Sequence, residues 1–267
     1  MRNLSYKRLL KTDGTVIAEH GDFNKQAMVS FSYDDGYENN YIIAAPLHEQ
    51  YNIPASFNIV TDWIIKDDRY SPIMTVEEIQ DLASRGFEIA AHSKTHGYDA
   101  ELYPDAYPGP KYWSQMTRHQ NKYEIESCKA QLEEWGISPK GFVSPFFNLG
   151  NDKFLYYDFK YIRNGENRLE TYPPFDPYNL PSAFWTQKNN TVAELKTVID
   201  QAITEKKWLI ITMHHVIEEG DTAVIENSTY YWYDYQLAEI LQYISSKPKE
   251  QLLPVTTYDG LRYAVNV

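Results

Sequence analysis

The sequence predicts an α/β fold in which parallel strands close into a single barrel-like domain. Two observations carry this prediction: short segments rich in Val, Ile or Phe recur along the chain, and amphipathic segments with helix start signals lie between them. A chain of 267 residues is long enough for one large, well-filled domain or two small ones, and no repeat or long Gly/Ser linker divides it. In barrels of this kind the chemistry lies at the carboxyl ends of the strands.

Seven strands are predicted, each bounded by Gly, Pro or polar residues. They are Ala27–Tyr33, Ala55–Val60, Phe87–Ala91, Gly141–Ser144, Tyr161–Arg163, Trp208–Met213 and Leu253–Thr257. Two of the intervening helices begin with capping boxes at Thr75 and Thr191, each followed three residues later by Glu. Further helices are predicted over Asn121–Trp135 and Asp234–Ser245, where apolar residues recur at helical spacing.

Charge and cysteine content exclude several classes of function. The net charge is −12 and the sequence pI is near 5.0, a balance that would repel nucleic acid and disfavours anionic membrane surfaces. Cys128 is the single cysteine, which rules out an intrachain disulfide and a thiolate zinc cluster. A neutral or amine-bearing substrate fits this composition better.

The sequence leaves the cellular location open. No apolar stretch of about 18 residues is present, so no membrane span is expected. The first eight residues lack the apolar run of a signal peptide. The chain is therefore expected to be cytoplasmic as written, or exported to the cell envelope if a signal was removed.

Two acidic residues and a glycine follow the first predicted strand. Asp34 and Asp35 would point to opposite faces if the strand continued, but the glycine at position 36 allows the backbone to turn and bring both towards one site. The alternative is a purely local Asp-Asp-Gly turn. From this motif alone, the two interpretations are equally favoured.

Histidines follow two other predicted strands. His92 and His96 come directly after the third strand, and four-residue spacing on a helical turn would place both imidazoles on one face, as two ligands of one metal require. His214 and His215 follow the strand that ends at Met213. Four of the seven histidines therefore stand at strand ends, which favours a metal site over solvent-facing histidines.

The remaining histidines lie elsewhere. His20, His48 and His119 fall in predicted loops or on helix faces, and we expect them to be solvent-exposed.

These strand-end motifs resemble those of a known family. Residues 32–36, Ser-Tyr-Asp-Asp-Gly, resemble the Thr-Phe-Asp-Asp-Gly motif of the polysaccharide deacetylases, carbohydrate esterase family 4. Residues 92–96, His-Ser-Lys-Thr-His, are similar to the second motif of that family, His-(Ser/Thr)-x-x-His. The resemblance implies a distorted (β/α) barrel over residues 26–267, expected to be seven-stranded, after an N-terminal extension at residues 1–25.

The resemblance also implies a role for each motif residue. Asp34 would be the catalytic base, and Asp35, His92 and His96 would bind a divalent metal, with Zn²⁺ expected first and Co²⁺ or Ni²⁺ as alternatives. Three protein ligands leave a position open for water, as catalytic metal sites require. His214 would be the general acid because the family pattern places that acid directly after the apolar strand. The adjacent histidine, at position 215, is the competing candidate.

A third motif departs from the family pattern. Residues 143–146 read Val-Ser-Pro-Phe where the family has Arg-x-Pro-Tyr. The backbone N–H of Phe146 can still supply an oxyanion donor, but the arginine that pairs with the base is missing. Arg163, at the end of another predicted strand, would either supply that charge or form a surface ion pair.

The function implied is hydrolysis of N-acetyl groups from N-acetylhexosamine-containing glycans, releasing acetate. The alternatives are hydrolysis of another amide or an acetyl ester, and a non-catalytic sugar-binding relative. The chain contains 23 Tyr, and several aromatic residues fall in the two loops that follow the histidine motifs. These aromatic residues would either form sugar platforms or anchor the loops to the barrel. They include Tyr98, Tyr103, Tyr107, Tyr112, Trp113 and residues 230–233.

Overall fold

A computed structural model describes most of the chain. The described residues are 8–10, 16–19, 26–66, 72–106, 109–147, 158–165, 176–186, 189–225 and 228–264. The strands within them are β1 (Arg8–Leu10), β2 (Val16–Glu19), β3 (Ala27–Tyr33), β4 (Ser56–Ile59), β5 (Glu88–Ala91), β6 (Gly141–Val143), β7 (Tyr161–Arg163), β8 (Ala183–Phe184), β9 (Trp208–Met213), β10 (His215–Ile217), β11 (Tyr231–Tyr233) and β12 (Leu252–Pro254). The α-helices are α1 (Ala45–Gln50), α2 (Thr61–Lys66), α3 (Val76–Ser84), α4 (Arg118–Glu134), α5 (Val192–Glu205), α6 (Thr222–Ile225), α7 (Asp234–Ser245) and α8 (Thr257–Ala264).

One parallel sheet forms the centre of the molecule. Its strand order is β7-β6-β5-β4-β3-β9-β8, and β12 pairs with the start of β3. All seven predicted strands lie in this sheet, and three of them, β3, β7 and β9, have the predicted bounds. The eighth strand, β8, was not predicted because it is only two residues long.

The sheet curls until its two ends are linked. At the β7 end, Ile162 and Asn164 exchange backbone hydrogen bonds with Leu180, which lies just before β8 at the opposite end. The Leu180 N–H donates to the Ile162 carbonyl at 2.9 Å, and the Asn164 N–H donates to the Leu180 carbonyl at 2.7 Å. With helices around this curled sheet, the predicted distorted (β/α) barrel is confirmed.

Strand β3 runs through the middle of the core. It pairs with β9 along most of its length, with β12 at its start and with β4 at its end. Every residue of β3 is buried, as expected for a strand covered on both faces of a parallel sheet. Its carboxyl end is therefore held rigidly.

The capping boxes are also confirmed. The Thr75 and Thr191 hydroxyls accept hydrogen bonds from the backbone N–H groups three residues later, and the glutamates there return the bond. Behind the second cap, α5 buries Leu195, Ile199 and Ala202 against the sheet.

One prediction about the histidines is wrong. His48 is fully buried in α1, because Tyr33 and the Ile53 carbonyl provide hydrogen-bond partners for both ring nitrogens. His119 is exposed, as predicted, and His20 lies outside the described residues.

Two further predictions concern the N-terminal extension and membrane spans. The short antiparallel pair β1–β2 precedes the barrel sheet, but a separate N-terminal extension stays a prediction. Over the described residues, none of the helices combines the length and apolarity needed to span a membrane.

Candidate active site

A cavity of about 400 Å³ opens at the carboxyl ends of the central strands. Its walls combine polar groups from the three strand-end motifs with a rim of aromatic side chains. The lining residues are Asp34, Asp35, Tyr37, Trp63, His92, His96, Tyr98, Ser144, Phe146, Phe147, His214 and Tyr230. The structure therefore brings together every predicted site residue except Arg163, which lies directly behind Asp34.

The turn after β3 separates the two aspartates. The Asp34 N–H donates to the Met213 carbonyl at 2.9 Å and so extends the ladder between β3 and β9 by one residue. Asp35 then adopts a left-handed conformation with φ 81°, and Gly36 follows with φ 85°. The glycine alone was expected to make the turn, but Asp35, a non-glycine residue, also takes a conformation that is uncommon outside functional sites and tight turns.

The His92–His96 segment is a loop and not the helical turn that the four-residue spacing suggested. Ser93 and His96 have φ values of 71° and 54°, which no right-handed helix contains. The loop closes on itself because the Ser93 hydroxyl accepts a hydrogen bond from the His96 N–H at 3.0 Å. The two imidazole rings still meet, with centroids 4.9 Å apart.

A glutamate on α4 fixes this loop, and the sequence analysis missed it. The buried carboxylate of Glu124 accepts the Thr95 N–H at 2.8 Å, the Thr95 hydroxyl and the Tyr103 hydroxyl at 2.7 Å. Its backbone carbonyl also accepts the Lys94 N–H. The Asp62 carboxylate, on α2, pairs with the Lys94 ammonium at 2.8 Å. No sequence pattern indicates this contact, because Glu124 lies 29 residues from Thr95 along the chain.

Asp35, His92 and His96 present their donor atoms to one point. Asp35 Oδ1 lies 3.4 Å from His92 Nε2 and 3.7 Å from His96 Nε2. In a tetrahedral zinc site with metal–ligand bonds of about 2.0–2.1 Å, the ligand atoms lie about 3.3–3.4 Å apart. The distances from Asp35 Oδ1 to the two imidazole nitrogens are close to that value. Asp35 Oδ1 is buried and accepts no hydrogen bond from the described residues, which is the condition expected of an oxygen directed at a cation.

The ring orientation of His92 supports the same function. His92 Nδ1 lies 2.9 Å from the Val143 carbonyl, which can only accept, so Nδ1 carries the proton. In the neutral form of the ring, the lone pair of Nε2 then faces Asp35. Metal-binding histidines are commonly oriented in this way by a carbonyl behind them.

The electrostatics of Asp35 and His96 also suit a metal. Burial raises the pKa of Asp35, but the imidazoles of His92, His214 and His96 outweigh it and hold that pKa well below its usual range. Burial lowers the pKa of His96 to about 3. Burial also lowers the pKa of His92, but the carboxylates of Asp34 and Asp35 outweigh it and leave that pKa above its usual value. The site thus offers an ionised carboxylate and, at His96, a neutral imidazole.

Arg163 forms a buried ion pair with Asp34. Its Nη2 donates to both carboxylate oxygens at 2.6 Å, and both side chains are buried. The other guanidinium nitrogen, Nη1, donates to the Ser182 and Thr212 hydroxyls. Of the two alternatives for Arg163, the surface ion pair is therefore wrong, and the contact with the predicted base is present.

Asn58 is a second partner of Asp34 that the sequence analysis missed. Its amide Nδ2 donates to Asp34 Oδ1 at 2.7 Å and to the Ser32 hydroxyl at 2.8 Å. Asn58 lies on β4 and is fully buried. The sequence contains a signal for this contact, because Asn58 is a polar residue in the middle of an apolar strand and a buried amide requires hydrogen-bond partners.

The two adjacent histidines after β9 have different environments. His214 lines the cavity, with Nε2 3.8 Å from Asp35 Oδ2. His215 is not among the residues that line the cavity; it stacks on Tyr37 with centroids 3.7 Å apart and has Nδ1 3.0 Å from the amide nitrogen of Asn39. Of the two candidates for the general acid, only His214 lies on the cavity wall.

The third motif forms a tight turn at the cavity wall. Phe146 and Phe147 both have left-handed backbone conformations, with φ values of 55° and 54°. The Phe146 ring packs edge-on against His96, with centroids 4.4 Å apart. This turn places the backbone of Phe146 beside the histidine loop.

The aromatic residues of the two loops divide into two groups. Tyr103 and Trp113 are buried and anchor their loop to the core, whereas Tyr98, Tyr112 and Tyr230 are exposed. Tyr107 lies outside the described residues.

Two solved structures share this fold. A mutant of the peptidoglycan deacetylase PdaC from Bacillus subtilis is 13% identical with a TM-score of 0.51, covering 91% of this chain and 93% of its own. A family 4 carbohydrate esterase from Streptomyces lividans, in complex with acetate, is 14% identical with a TM-score of 0.51, covering 85% of this chain and 91% of its own. At these identities the likeness concerns the fold alone.

Sequence comparison identifies the family. No curated protein matches the chain. The family model described as polysaccharide deacetylase matches residues 22–161, which is more than half of the chain. The chain therefore belongs to the polysaccharide deacetylase family.

Proposed function

We propose that this protein is a metal-dependent hydrolase that removes N-acetyl groups from N-acetylhexosamine-containing glycans and releases acetate. One observation carries the proposal: three buried metal-type ligands, Asp35, His92 and His96, share a cavity with an aspartate that is held by a buried arginine. Family membership supports the reaction class.

Asp35, His92 and His96 would hold the ion, with Zn²⁺ expected first. When bound, such an ion supplies Lewis acidity that lowers the pKa of water from its bulk value to about 7 and polarises a carbonyl group. The absence of thiolate donors and the mixture of one carboxylate with two imidazoles suit Zn²⁺, Co²⁺ or Ni²⁺.

Asp34 would accept the proton of the water that attacks the acetyl carbonyl. Asn58 and Arg163 fix the orientation of its carboxylate from behind, so that no rotation is needed when the proton arrives. The permanently charged guanidinium of Arg163 supplies the counter-charge of that buried carboxylate. The Phe146 N–H would donate to the developing oxyanion, and one such donor typically contributes about 3 kcal/mol.

His214 would protonate the leaving nitrogen. An amide nitrogen is a poor leaving group, so the C–N bond breaks only if a proton is delivered to it. The carbonyl carbon leaves as acetate and the nitrogen as the amine of the sugar. His214 faces Oδ2 of Asp35, whereas the two imidazoles of the metal site face Oδ1. The leaving group would emerge on the His214 side of the cavity.

The ion pair of Arg163 also bears on the alternatives. The missing third-motif arginine favours a non-catalytic sugar-binding relative, but Arg163 places an equivalent charge on Asp34 from β7. This contact supports the catalytic proposal over a binding module.

The test is acetate release from N-acetylglucosamine oligomers by protein stripped with EDTA and then reloaded with Zn²⁺ or Co²⁺. We expect release to be lost on stripping and to return with metal. Asp34→Asn should abolish turnover while metal still binds. Stoichiometric metal uptake without acetate release from any N-acetylated glycan would reject the proposed substrate class.

A further inference from the structure

We infer that Phe147 is a positioning residue for the proposed base, Asp34, because its ring keeps water away from the Arg163 guanidinium that holds the carboxylate. Phe147 lines the cavity, whereas Arg163 does not and is fully buried. The guanidinium carbon lies 5.7 Å from the centroid of the Phe147 ring. This inference rests on the proposed function and assigns a role to the residue just after the third motif.

Backbone hydrogen bonds hold Phe147 beside the end of β7. The Ser144 N–H donates to the Arg163 carbonyl at 3.0 Å, which extends the ladder between β6 and β7 by one residue. The Phe147 N–H donates in turn to the Ser144 carbonyl at 3.3 Å. The turn that carries the ring is therefore attached to the residue whose guanidinium lies within cation–π distance of that ring.

Glycine at position 165 allows the ring to lie in this place. A Cβ atom at Gly165 would lie 2.3 Å from Cβ and 2.4 Å from Cγ of Phe147. Both distances are far below van der Waals contact, so any side chain at this position would displace the ring. Gly165 comes two residues after Arg163, and the same segment thus supplies the guanidinium and the space for the ring beside it.

The backbone conformation of Phe147 also indicates a functional constraint. Its φ of 54° is left-handed, which is uncommon for a bulky residue. Such conformations persist where the surrounding structure over-determines them, and they cluster at functional sites. Glycine would adopt the same φ without strain. The chain thus retains an aromatic ring at a position where the backbone alone would favour glycine.

The guanidinium is sensitive to water because it is incompletely hydrogen-bonded. Nη1 and Nη2 of Arg163 have partners, but Nε is buried and donates no hydrogen bond within the part of the chain that the structure describes. Water that reached this group would hydrate it and compete with the Asp34 carboxylate. It would also raise the local dielectric constant and so weaken the attraction between the two charges. A ring that excludes water therefore keeps the carboxylate in one orientation.

The experiment first measures the access of water to Arg163. NMR of the metal-loaded protein follows the exchange of guanidinium protons with solvent, and Arg163→Lys assigns the signal by its loss. We expect a slowly exchanging signal in the unaltered protein and its loss to fast exchange in Phe147→Gly, a variant whose backbone suits the turn. Gly165→Ala should lose the signal as well, because the added methyl group displaces the ring.

The second measurement separates kcat from KM for acetate release from the N-acetylglucosamine tetramer. We expect kcat of Phe147→Gly to fall roughly tenfold with little change in KM, because Asp34 loses its fixed orientation while sugar binding persists. Salt at about 1 M, where the Debye length is about 3 Å, should lower kcat further in this variant but not in the unaltered protein, since a hydrated ion pair is screened. Phe147→Leu keeps an apolar cover and should recover part of both properties.

Tyr258 provides the matched control, because its ring centroid lies 5.9 Å from the guanidinium carbon of Arg262 and neither residue lines the cavity. Tyr258→Ala should leave the Arg163 signal, kcat and the salt dependence as in the unaltered protein. A slowly exchanging signal that survives in Phe147→Gly, an unchanged kcat, or an increase in KM alone would overturn the inference while the proposed function stands. Failure of the unaltered, metal-loaded protein to release acetate from any oligomer would overturn both.

Discussion

Arg163 and Asp34 form a buried ion pair in which a single guanidinium nitrogen, Nη2, donates to both carboxylate oxygens at 2.6 Å. The two residues are 129 positions apart and belong to β7 and the end of β3, which lie four strands apart in the sheet. They meet because the sheet curls and brings the far strand behind the centre. The positive charge that the third motif lacks is thus delivered from elsewhere in the barrel.

Arg163→Leu should abolish acetate release and destabilise the fold. Removing one partner leaves Asp34 buried without its counter-charge, which typically costs about 3–5 kcal/mol. Arg163→Lys keeps the charge but loses the planar fork, so we expect partial stability and low turnover. Urea unfolding and acetate release measure the two effects. Turnover of the lysine variant equal to that of the unaltered protein would show that the guanidinium geometry is not needed.

Asn58→Leu should lower kcat roughly tenfold with little change in KM, because it removes one charge-assisted hydrogen bond that orients Asp34. Leucine has a similar volume, so the fold should persist. Steady-state kinetics on an oligomer measures the split between kcat and KM. An increase in KM alone would mean that Asn58 acts on substrate binding and not on the orientation of Asp34.

Glu124→Leu should weaken metal binding roughly 10- to 100-fold, because Glu124 holds Thr95 within the loop that carries His92 and His96. Glu124→Gln keeps one acceptor oxygen and should lose less. Competition with a chromogenic chelator measures the metal affinity without reference to turnover. The exposed neighbour Glu126, on the same helix, provides the control variant Glu126→Gln. Equal affinities for the Glu124 and Glu126 variants would contradict this function of the buried glutamate.

His214→Ala should reduce hydrolysis of the acetamide much more than hydrolysis of an activated acetyl ester, since an ester needs no strong proton donor to leave. His215→Ala should instead act on both substrates alike, through loss of its packing on Tyr37. The ratio of amide to ester rates in the two variants is the measurement. If His215→Ala alone changed that ratio, the general acid would have to be reassigned.

Stability should fall as the pH drops from about 6.5 to about 4, partly because of His48. Burial lowers the pKa of His48 to about 4, whereas the unfolded chain titrates near 6.5. Over that interval the unfolded state binds more protons, so the free energy of unfolding decreases with falling pH, by roughly 3 kcal/mol for this group. Urea unfolding across this range should show a smaller loss for His48→Gln. Parallel stability curves would mean that His48 does not contribute.

The sequence predicted most of the barrel and several of the polar residues that line the cavity. Periodicity and capping signals are local, so the strands and the helix starts could be identified from short segments. The strand-end motifs pointed to Asp34, Asp35 and the histidines because parallel strands deliver their carboxyl ends to one edge. The prediction from sequence failed for β8, which is too short to show a pattern. It also failed for the His92–His96 loop, where positive φ values replace the expected helical turn.

By itself, then, the sequence determined which polar residues stand at the strand ends, because residue type and strand-end position are local properties of the chain. The tertiary structure decided which groups support them. The contacts of Asp34 with Arg163 and Asn58, and of Thr95 with Glu124, join residues from different strands and helices. It also decided that His214 and not His215 faces the cavity. The physical reason is that such contacts depend on how the sheet curls and on which face each side chain takes, and neither is encoded in local spacing.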